Sequence, residues 1–197
     1  MSTDKQLWIL AGGNGAGKST FYRLFLEPRA LQFVNADLIA QKLNPEQPEK
    51  ASYDAANLAE KIRYQLLEEG VSFCFETVFS HPSKIDFIAA AKALGYEIIL
   101  VYIHLESDQL NKARVAQRVS EGGHNVPAEK VVSRIPRTLK HISTVLPLVD
   151  LAQFYDNSAL STPFLPVARL KNGELEIMKE QLPGWAKALL AEYTSGR

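Results

Sequence analysis

Short apolar runs alternate along this chain with longer segments in which apolar residues recur every three or four positions. The runs predict β-strands, and the periodic segments predict amphipathic helices. Strands are predicted over 6–11, 31–34, 72–75, 96–104 and 152–155. Helices are predicted over 18–26, 52–69, 82–94, 107–120 and 128–146, the last with a kink at Pro136, and again after Pro183.

This alternation of strands and helices predicts an α/β fold with a mostly parallel sheet of about five strands and helices on both of its faces. Residues 164–180 break the alternation, and Asn172-Gly173 is a strong signal for a hairpin turn. We expect the hairpin to extend or flank one edge of the sheet. A single domain over residues 1–197 is expected from the length.

Composition narrows the class of protein. Lys plus Arg and Asp plus Glu are both 22, and this neutral balance argues against a general nucleic-acid-binding surface. No apolar stretch is long enough to cross a membrane, and the N-terminus has no apolar signal core. Cys74 is the single cysteine, so no internal disulfide is expected. We therefore expect a cytoplasmic protein, and a monomer because no heptad pattern or long exposed apolar stripe stands out.

A glycine-rich segment follows the first predicted strand and opens the first predicted helix. It reads GGNGAGKS and matches the pattern G-x-x-x-x-G-K-[ST]. Glycines allow the backbone to approach phosphate oxygens closely, a lysine reaches the β- and γ-phosphates, and a serine hydroxyl can ligate Mg²⁺. The pattern in this context predicts a P-loop that binds a nucleotide through Gly12, Gly13, Asn14, Gly15, Ala16, Gly17, Lys18, Ser19 and Thr20.

Asp37 follows the second predicted strand, at the edge of a parallel α/β sheet where ligands bind. A carboxylate there can accept the proton of an acceptor hydroxyl during phosphoryl transfer. Asp37 can equally cap, together with Asn35, the helix predicted at 38–43. Spacing alone leaves both interpretations open.

The segment 72–80 places Glu76 at the end of an apolar strand, followed by Thr77. In P-loop proteins this position holds the acid that supports Mg²⁺ through water, and a carboxylate here can also bind a substrate hydroxyl. Ser80 and His81 lie on the same loop, where Ser80 is also a plausible helix cap, so their roles stay open. Cys74 is expected in the core.

Residues 112–141 carry seven Lys or Arg against two Glu. Arg114 and Arg118 share one helix face, and Lys130, Arg134, Arg137 and His141 form a stripe on the next helix. A solvated charged face is the usual meaning of such a stripe. We favour a helical lid over about 107–146 that brings arginines to the transferring phosphoryl group and uses Gly122-Gly123 to move.

A last polar pair, Asp156 and Asn157, follows the strand at 152–155. Asn157 is predicted to close a turn near the bound nucleotide. An ordinary Asx turn explains the pair nearly as well.

Several stretches in a fixed order resemble the short bacterial members of the zeta toxin family of P-loop kinases. They are AGGNGAGKST, FVNADLIA, FCFETVFSHPSK, RVSEGGHNVP with SRIPRTL, and FYDNS, which together cover about residues 6–158. The ordered set is far more specific than the glycine loop alone.

This resemblance implies a P-loop nucleoside-triphosphate hydrolase fold and an ATP- and Mg²⁺-dependent kinase for the sugar 3′-hydroxyl of UDP-N-acetylglucosamine. Asp37 would be the catalytic base, and Lys18 and Ser19 would bind phosphates and the metal. Glu76 and Thr77 would line the sugar-nucleotide site, and Arg118 and Arg134 would stabilise the γ-phosphoryl group. The family's toxins are restrained by a small antitoxin, so a separate antitoxin protein is an expected partner.

Three alternatives remain open from the sequence. The first is a kinase for another hydroxyl acceptor, such as an antibiotic, a sugar or a nucleoside. The second is a P-loop ATPase that acts on a partner protein, although no LSGGQ or N-K-x-D motif is present. The third is a nucleic-acid kinase that uses the basic stripe. Its affinity for DNA or RNA would fall steeply as the salt concentration rises.

Overall fold

The computed structural model describes residues 5–120 and 126–194. Within these ranges, seven strands form one sheet in the order β2-β3-β1-β4-β5-β6-β7. The strands are β1 Gln6–Gly12, β2 Gln32–Val34, β3 Phe73–Thr77, β4 Glu97–His104, β5 Leu151–Asp156, β6 Leu165–Lys171 and β7 Glu174–Ile177.

The first five strands along the chain are parallel, and β1 lies in the middle of them. The predicted parallel sheet and the position of the glycine loop after its central strand are therefore confirmed. β6 and β7 are antiparallel and add the predicted hairpin to the β5 edge, so the whole sheet is larger than the five strands predicted. Asn172 and Gly173 have φ angles of 50° and 83°, as a tight hairpin turn requires.

The helices run between the strands as the alternation predicts. They are α1 Lys18–Phe21, α2 Ala36–Leu43, α3 Ser52–Glu68, α4 Ser83–Ala93, α5 Asp108–Ser120, α6 Ala128–Val145, α7 Gly184–Leu189 and α8 Ala191–Thr194. α1 continues as a π-helical turn over Tyr22–Leu26, so the helix predicted over 18–26 changes its hydrogen-bonding pattern midway. α6 continues as one helix across Pro136.

Alternating residues of the central strands supply two cores, one on each face of the sheet. Leu7 and Ile9 belong to the larger core, which also buries residues of α3, α4, α6 and α7. Trp8 and Leu10 belong to the smaller core, with Phe21 of α1. Because both faces are covered, the central strands are apolar throughout, as parallel strands usually are.

None of the helices within residues 5–120 and 126–194 has both the length and the apolar character needed to span a membrane. The buried thiol of Cys74 lies in the smaller core, as predicted. Burial raises its pKa far above the ordinary value, so the thiol stays protonated.

Candidate active site

The glycine loop joins the end of β1 to the start of α1 and is packed tightly against its surroundings. Gly17 has a φ of 97°, and a Cβ there would come within 2.5 Å of the Nδ2 atom of Asn157. Gly15 has a φ of 78°, and a Cβ there would lie 2.9 Å from the backbone oxygen of Asn111. Only glycine satisfies both the backbone angle and the close approach at these two positions.

Lys18 is buried at the end of this loop, with 6% of its side chain exposed. Its Nζ donates hydrogen bonds to the backbone oxygens of Gly12 and Gly13, both at 3.0 Å. The same nitrogen lies 3.6 Å from Oε1 of Glu76, at the end of the neighbouring strand β3. The loop lysine and the strand acid predicted from the sequence are therefore adjacent.

Glu76 is the centre of a polar network that connects the start of α1 to the ends of β2 and β3. Its Oε2 accepts hydrogen bonds from Oγ of Ser19 at 2.8 Å and from Nδ2 of Asn35 at 2.9 Å. Thr77 follows, and its Oγ1 accepts from the backbone N–H of Phe79 at 2.9 Å. Ser19 and Glu76 thus bring a hydroxyl and a carboxylate oxygen together beside Lys18.

Asn35, rather than Asp37, caps α2. The Oδ1 of Asn35 accepts from the backbone N–H groups of Asp37 at 2.8 Å and of Leu38 at 3.2 Å. Asp37 lies in the first turn of α2 with an exposed side chain, and no described residue forms a hydrogen bond to its carboxylate. The predicted cap is therefore confirmed for Asn35 and wrong for Asp37, and the catalytic role of Asp37 stays a prediction.

Two cavities among the described residues meet at Lys18 and Glu76. The loop cavity, of about 370 Å³, is lined by Gly15, Gly17, Ser19, Thr20, Arg114 and Asn157 in addition to this pair. The Asp37 cavity, of about 290 Å³, is lined by Asn14, Asp37, Arg63, Thr77, Lys84 and Arg134 in addition to the same pair. Lys18 and Glu76 are therefore a wall that the two cavities share.

Asn157, directly after β5, forms hydrogen bonds to three residues around the loop cavity. Its Nδ2 donates to the backbone oxygen of Ala16 at 2.9 Å, and its Oδ1 accepts from the N–H of Phe164 at 3.1 Å. Its own backbone oxygen accepts from Nη2 of Arg114 at 2.8 Å. The Asn157 amide thus joins the glycine loop to the segment that carries Phe164. The residue forms part of the cavity wall, and its place near a bound nucleotide stays a prediction.

Arg114, on α5, lines the loop cavity. Burial lowers its pKa, yet a guanidinium stays charged at any physiological pH. Arg118 lies one turn further along the same helix, and its side chain is outside the described residues, as is the segment 121–125 with Gly122-Gly123. The sequence grouped Arg114 with Arg118, and the structure places Arg114 at the loop cavity.

The basic stripe of α6 divides into two groups. Arg134 lines the Asp37 cavity and approaches Oδ1 of Asn14 at 3.4 Å, and His141 forms a hydrogen bond to the backbone oxygen of Phe79 at 3.1 Å. Lys130 and Arg137 are exposed, and Arg137 donates to the backbone oxygen of Ser133 on its own helix. The solvated-face interpretation thus holds for Lys130 and Arg137, while Arg134 and His141 face the protein.

α6 also supports the loop that follows β3. Thr138 is buried, and its Oγ1 donates to the backbone oxygen of Val78 at 2.7 Å. Together with the contact of His141 to Phe79, this fixes the loop that follows Thr77. Ser80 and His81 lie beyond it, where His81 binds Oγ of Ser83 at 2.9 Å in the first turn of α4. Neither residue lines the two cavities.

Sequence reasoning missed Arg63 on α3 and Lys84 on α4, both of which line the Asp37 cavity. A signal for Arg63 was present, because it shares the helix stripe of the buried residues Ala55, Ala59 and Leu66. A charged residue on a buried stripe requires a partner or a function. Lys84 had no comparable signal.

Comparison with known proteins shows the family of this chain. Residues 7–140 match the AAA domain family. The chain belongs to that family. The AAA domain match runs from β1 into α6 and includes the described lining of the Asp37 cavity. It leaves out the part of the loop cavity lined by residues 157–164. An uncharacterised protein of Haemophilus influenzae is 33% identical over 135 residues, which are 65% of this chain and 95% of that protein.

Solved structures share the fold at low sequence identity. A chain of the AvrRxo1-ORF1:-ORF2 complex with ATP superposes with a TM-score of 0.71 at 20% identity, covering 90% of this chain and 61% of that one. The PezAT toxin-antitoxin system of Streptococcus pneumoniae gives 0.64 at 16% identity, covering 100% and 80%. A putative kinase from Chloroflexus aurantiacus gives 0.60 at 16% identity, covering 81% and 92%.

This AAA domain protein thus spans about 61% of the length of the AvrRxo1-ORF1:-ORF2 chain that it matches. The likenesses confirm the predicted α/β P-loop fold with its mostly parallel sheet. They also bear out, at the level of the fold, the resemblance to the zeta toxin family.

Proposed function

We propose that this protein is an ATP-dependent phosphotransferase that moves the γ-phosphoryl group of ATP to a hydroxyl group of a small molecule. The observation that carries the proposal is the pair of cavities that meet at Lys18 and Glu76. A transferase needs one compartment for the donor and one for the acceptor, joined where the phosphoryl group passes. A site that only hydrolysed ATP would not need the second compartment.

The loop cavity is the proposed donor site. Lys18 would bind the β- and γ-phosphates once its two backbone partners, Gly12 and Gly13, are exchanged for phosphate oxygens. Arg114 adds a second positive charge beside the loop. Asn157 would keep the loop in shape under the negative charge of the nucleotide.

The donor set beside Lys18 suits Mg²⁺. Ser19 and Glu76 supply a hydroxyl and a carboxylate oxygen, the hard ligands that Mg²⁺ prefers alongside water and substrate phosphates. No cluster of three His, Cys, Asp or Glu side chains able to hold a metal exists among residues 5–120 and 126–194, which accords with an ion held mainly by nucleotide phosphates. When bound, the ion would neutralise charge on the transferring phosphates.

The Asp37 cavity is the proposed acceptor site. Asp37 would accept the proton of the acceptor hydroxyl as its oxygen bonds to the γ-phosphorus and the bond from that phosphorus to the β–γ bridging oxygen breaks. ADP then leaves with the bridging oxygen, and the phosphorylated acceptor leaves from the other side. Thr77 would contact the acceptor, and Arg134 would stabilise charge on the transferring group.

The proposed lid over residues 107–146 consists of α5, α6 and the segment between them, within a single domain. Its support is that α5 supplies Arg114 to one cavity and α6 supplies Arg134 to the other. Arg118 is proposed as a further lid arginine that stabilises the γ-phosphoryl group. Movement of α5 and α6 would then change both cavities together.

The acceptor that we propose is UDP-N-acetylglucosamine, phosphorylated on the sugar 3′-hydroxyl. The support is the ordered set of stretches shared with the zeta toxin family and the similarity in fold to the PezAT system. A separate antitoxin protein is proposed as a partner on the same ground, because that similar structure comes from a toxin-antitoxin system. We also propose a cytoplasmic monomer.

Phosphorus NMR of the protein with ATP, Mg²⁺ and UDP-N-acetylglucosamine tests the reaction. A new sugar-phosphate resonance is expected in the wild type and should be absent in Asp37→Asn, which still binds ATP. The matched control is Asp86→Asn, because Asp86 is likewise an exposed aspartate in the first turn of a helix but lies outside both cavities.

Different failures have different meanings. Binding of ATP without transfer to this sugar nucleotide would exclude the acceptor and leave the phosphotransferase proposal to a screen of sugars, nucleosides and antibiotics. Transfer in Asp37→Asn at the wild-type rate would remove Asp37 as the base. Hydrolysis of ATP that depends on a partner protein and on no acceptor would replace the proposal with an ATPase.

A further inference from the structure

The guanidinium of Arg63 is buried in the wall of the Asp37 cavity and lacks a polar partner. Only 6% of the residue is exposed, and its Nε has no hydrogen-bond acceptor. Among the described residues, no carboxylate forms an ion pair with it and no group forms a hydrogen bond to it. A buried and unpaired charge is rare because its loss of hydration costs several kcal/mol.

Aromatic contacts hold Arg63 in place without neutralising it. Its Cζ lies 5.2 Å from the ring centre of Phe75 and 5.5 Å from that of Phe87. Such contacts favour a stacked guanidinium but supply no hydrogen-bond acceptor for the buried Nε–H. Arg63 thus contributes a charged group with an unsatisfied donor to the lining of the Asp37 cavity.

Lys84 brings a second positive charge to the same cavity. Its Nζ donates a hydrogen bond to the hydroxyl of Ser83 at 3.3 Å. Burial and the neighbouring charge of Arg63 lower the pKa of Lys84, while Glu60 on α3 raises it. Glu60 acts in the same sense on the pKa of Arg63, so it offsets part of the positive charge from a distance.

The described lining of the Asp37 cavity is therefore unbalanced in charge. Lys18, Arg63, Lys84 and Arg134 line it against Asp37 and Glu76, which leaves two positive charges in excess. Lys18 and Glu76 face each other at 3.6 Å at the shared wall. The excess thus belongs to the parts of the cavity away from that pair, where α3 and α4 contribute.

We propose that Arg63 and Lys84 form a subsite for an anionic group, a phosphate or a carboxylate, carried by the acceptor molecule. This inference rests on the proposed function, because it assigns the acceptor to the Asp37 cavity. The phosphates of ATP are not the anion in question, because neither residue lines the loop cavity. The acceptor class is an anionic hydroxyl compound, bound with its hydroxyl at Asp37 and its charge at Arg63.

The Nε–H resonance of Arg63 gives a direct test, because a buried guanidinium exchanges its proton slowly. The protein is first saturated with Mg²⁺ and a non-hydrolysable ATP analogue so that the glycine loop is filled. The probes are UDP-N-acetylglucosamine, glucose 6-phosphate, gluconate and, as a neutral sugar, N-acetylglucosamine. Arg63→Lys assigns the resonance by its disappearance.

We expect the resonance to shift with an anionic probe and to stay in place with N-acetylglucosamine. A shift with the two phosphate-bearing probes alone identifies a phosphate subsite, and a shift with gluconate identifies a carboxylate subsite. If no anionic probe at millimolar concentration moves the resonance, the inference is wrong. Failure of the ATP analogue to bind would instead count against the proposed function, and it is seen separately on the glycine-loop amides.

Kinetics with an anionic acceptor provide a second readout. Arg63→Met should raise the acceptor KM by about 10- to 100-fold with a smaller change in kcat, since it removes charge-assisted hydrogen bonds. Arg29→Met is the matched control, because Arg29 also stacks on an aromatic ring, with Cζ 4.7 Å from the centre of Trp8, but lies outside both cavities. Equal KM values for Arg63→Met and wild type would overturn the subsite and leave the phosphotransferase intact.

Discussion

The side-chain amide of Asn157 donates to the backbone oxygen of Ala16 at 2.9 Å, which joins the end of β5 to the middle of the glycine loop. The other end of the same amide accepts from the N–H of Phe164 at 3.1 Å. One side chain therefore connects the glycine loop to two neighbouring points of the segment after β5. The shape of the loop depends on a residue more than a hundred positions away.

Asn157→Ala should lower the free energy of unfolding by about 1–3 kcal/mol, because it leaves buried backbone groups at Ala16 and Phe164 without partners. It should also weaken ATP binding, since the loop loses its support. Chemical denaturation and calorimetric titration measure the two effects. Asn157→Asp keeps the acceptor for Phe164 and loses the donor to Ala16, so it separates the two bonds. Unchanged stability in the alanine variant would contradict the supporting role.

Gly17→Ala should reduce ATP affinity by at least about tenfold. The φ of 97° costs roughly 1–2 kcal/mol for an L-residue, and the new Cβ would lie 2.5 Å from Nδ2 of Asn157. Gly173→Ala is the matched control, because Gly173 also has a positive φ, of 83°, but has open space around it. Equal effects of the two variants on ATP affinity would show that the contact with Asn157 is unimportant.

Glu76→Gln should raise the Mg²⁺ concentration needed for half-maximal turnover by about 10- to 100-fold, the usual range for a residue that supports a metal ligand. The glutamine side chain has about the same size and keeps one oxygen for Ser19 and Asn35. The higher Mg²⁺ requirement would therefore be due to the missing negative charge. Glu97→Gln serves as the control, because Glu97 accepts a hydrogen bond from Gln6 far from the site. A Mg²⁺ dependence like that of wild type would remove Glu76 from metal support.

His104 should make the protein less stable in mild acid. It is buried at the end of β4 against Trp185 and forms a hydrogen bond to the hydroxyl of Tyr102 at 2.9 Å. Burial lowers its pKa from 6.5 to about 4, although Asp156 and Asp108 act in the opposite direction. The imidazole is therefore neutral in the folded protein across a range in which the unfolded chain takes up a proton.

The direction of the stability change with pH follows from that difference in protonation. The contribution of His104 to stability is fully present above pH 6.5 and is lost as the pH falls from 6.5 towards 4, by roughly 3 kcal/mol in total. Unfolding by urea at several pH values measures the slope, which His104→Gln should reduce. The comparison variant is His81→Gln, which changes a histidine whose side chain is exposed. A slope that survives in His104→Gln would assign the acid sensitivity to other groups.

The parts of this fold that were predictable from sequence are those with local causes. Apolar runs and periodic segments gave the five parallel strands and the helices, and Asn172-Gly173 gave the hairpin, because turn chemistry is set by two residues. The glycine loop was equally local, since its motif lies within eight consecutive positions. Asp37 was ambiguous because a cap and a catalytic carboxylate have the same spacing. The bonds of Asn35 assign the cap to Asn35 alone, and the catalytic role of Asp37 stays a proposal.

What the sequence did not reveal depends on contacts between distant segments. Arg63 and Lys84 share a cavity only because α3 and α4 pack on the same face of the sheet. The clamp formed by Asn157 likewise joins positions that no local pattern relates. The basic stripe of α6 was visible in the sequence. That Arg134 lines a cavity while Arg137 is exposed depends on which side of the helix packs against the protein.

The wall formed by Lys18 and Glu76 has a thermodynamic consequence. A ligand in either cavity must change the balance of this one ion pair, because both side chains face both compartments. Negative charge that draws Lys18 towards one side weakens the attraction that the lysine offers to the other. If the nucleotide and the acceptor bind as proposed, the two binding events are linked, and linkage is reciprocal: whatever factor the nucleotide imposes on the affinity for the acceptor, the acceptor imposes on the affinity for the nucleotide.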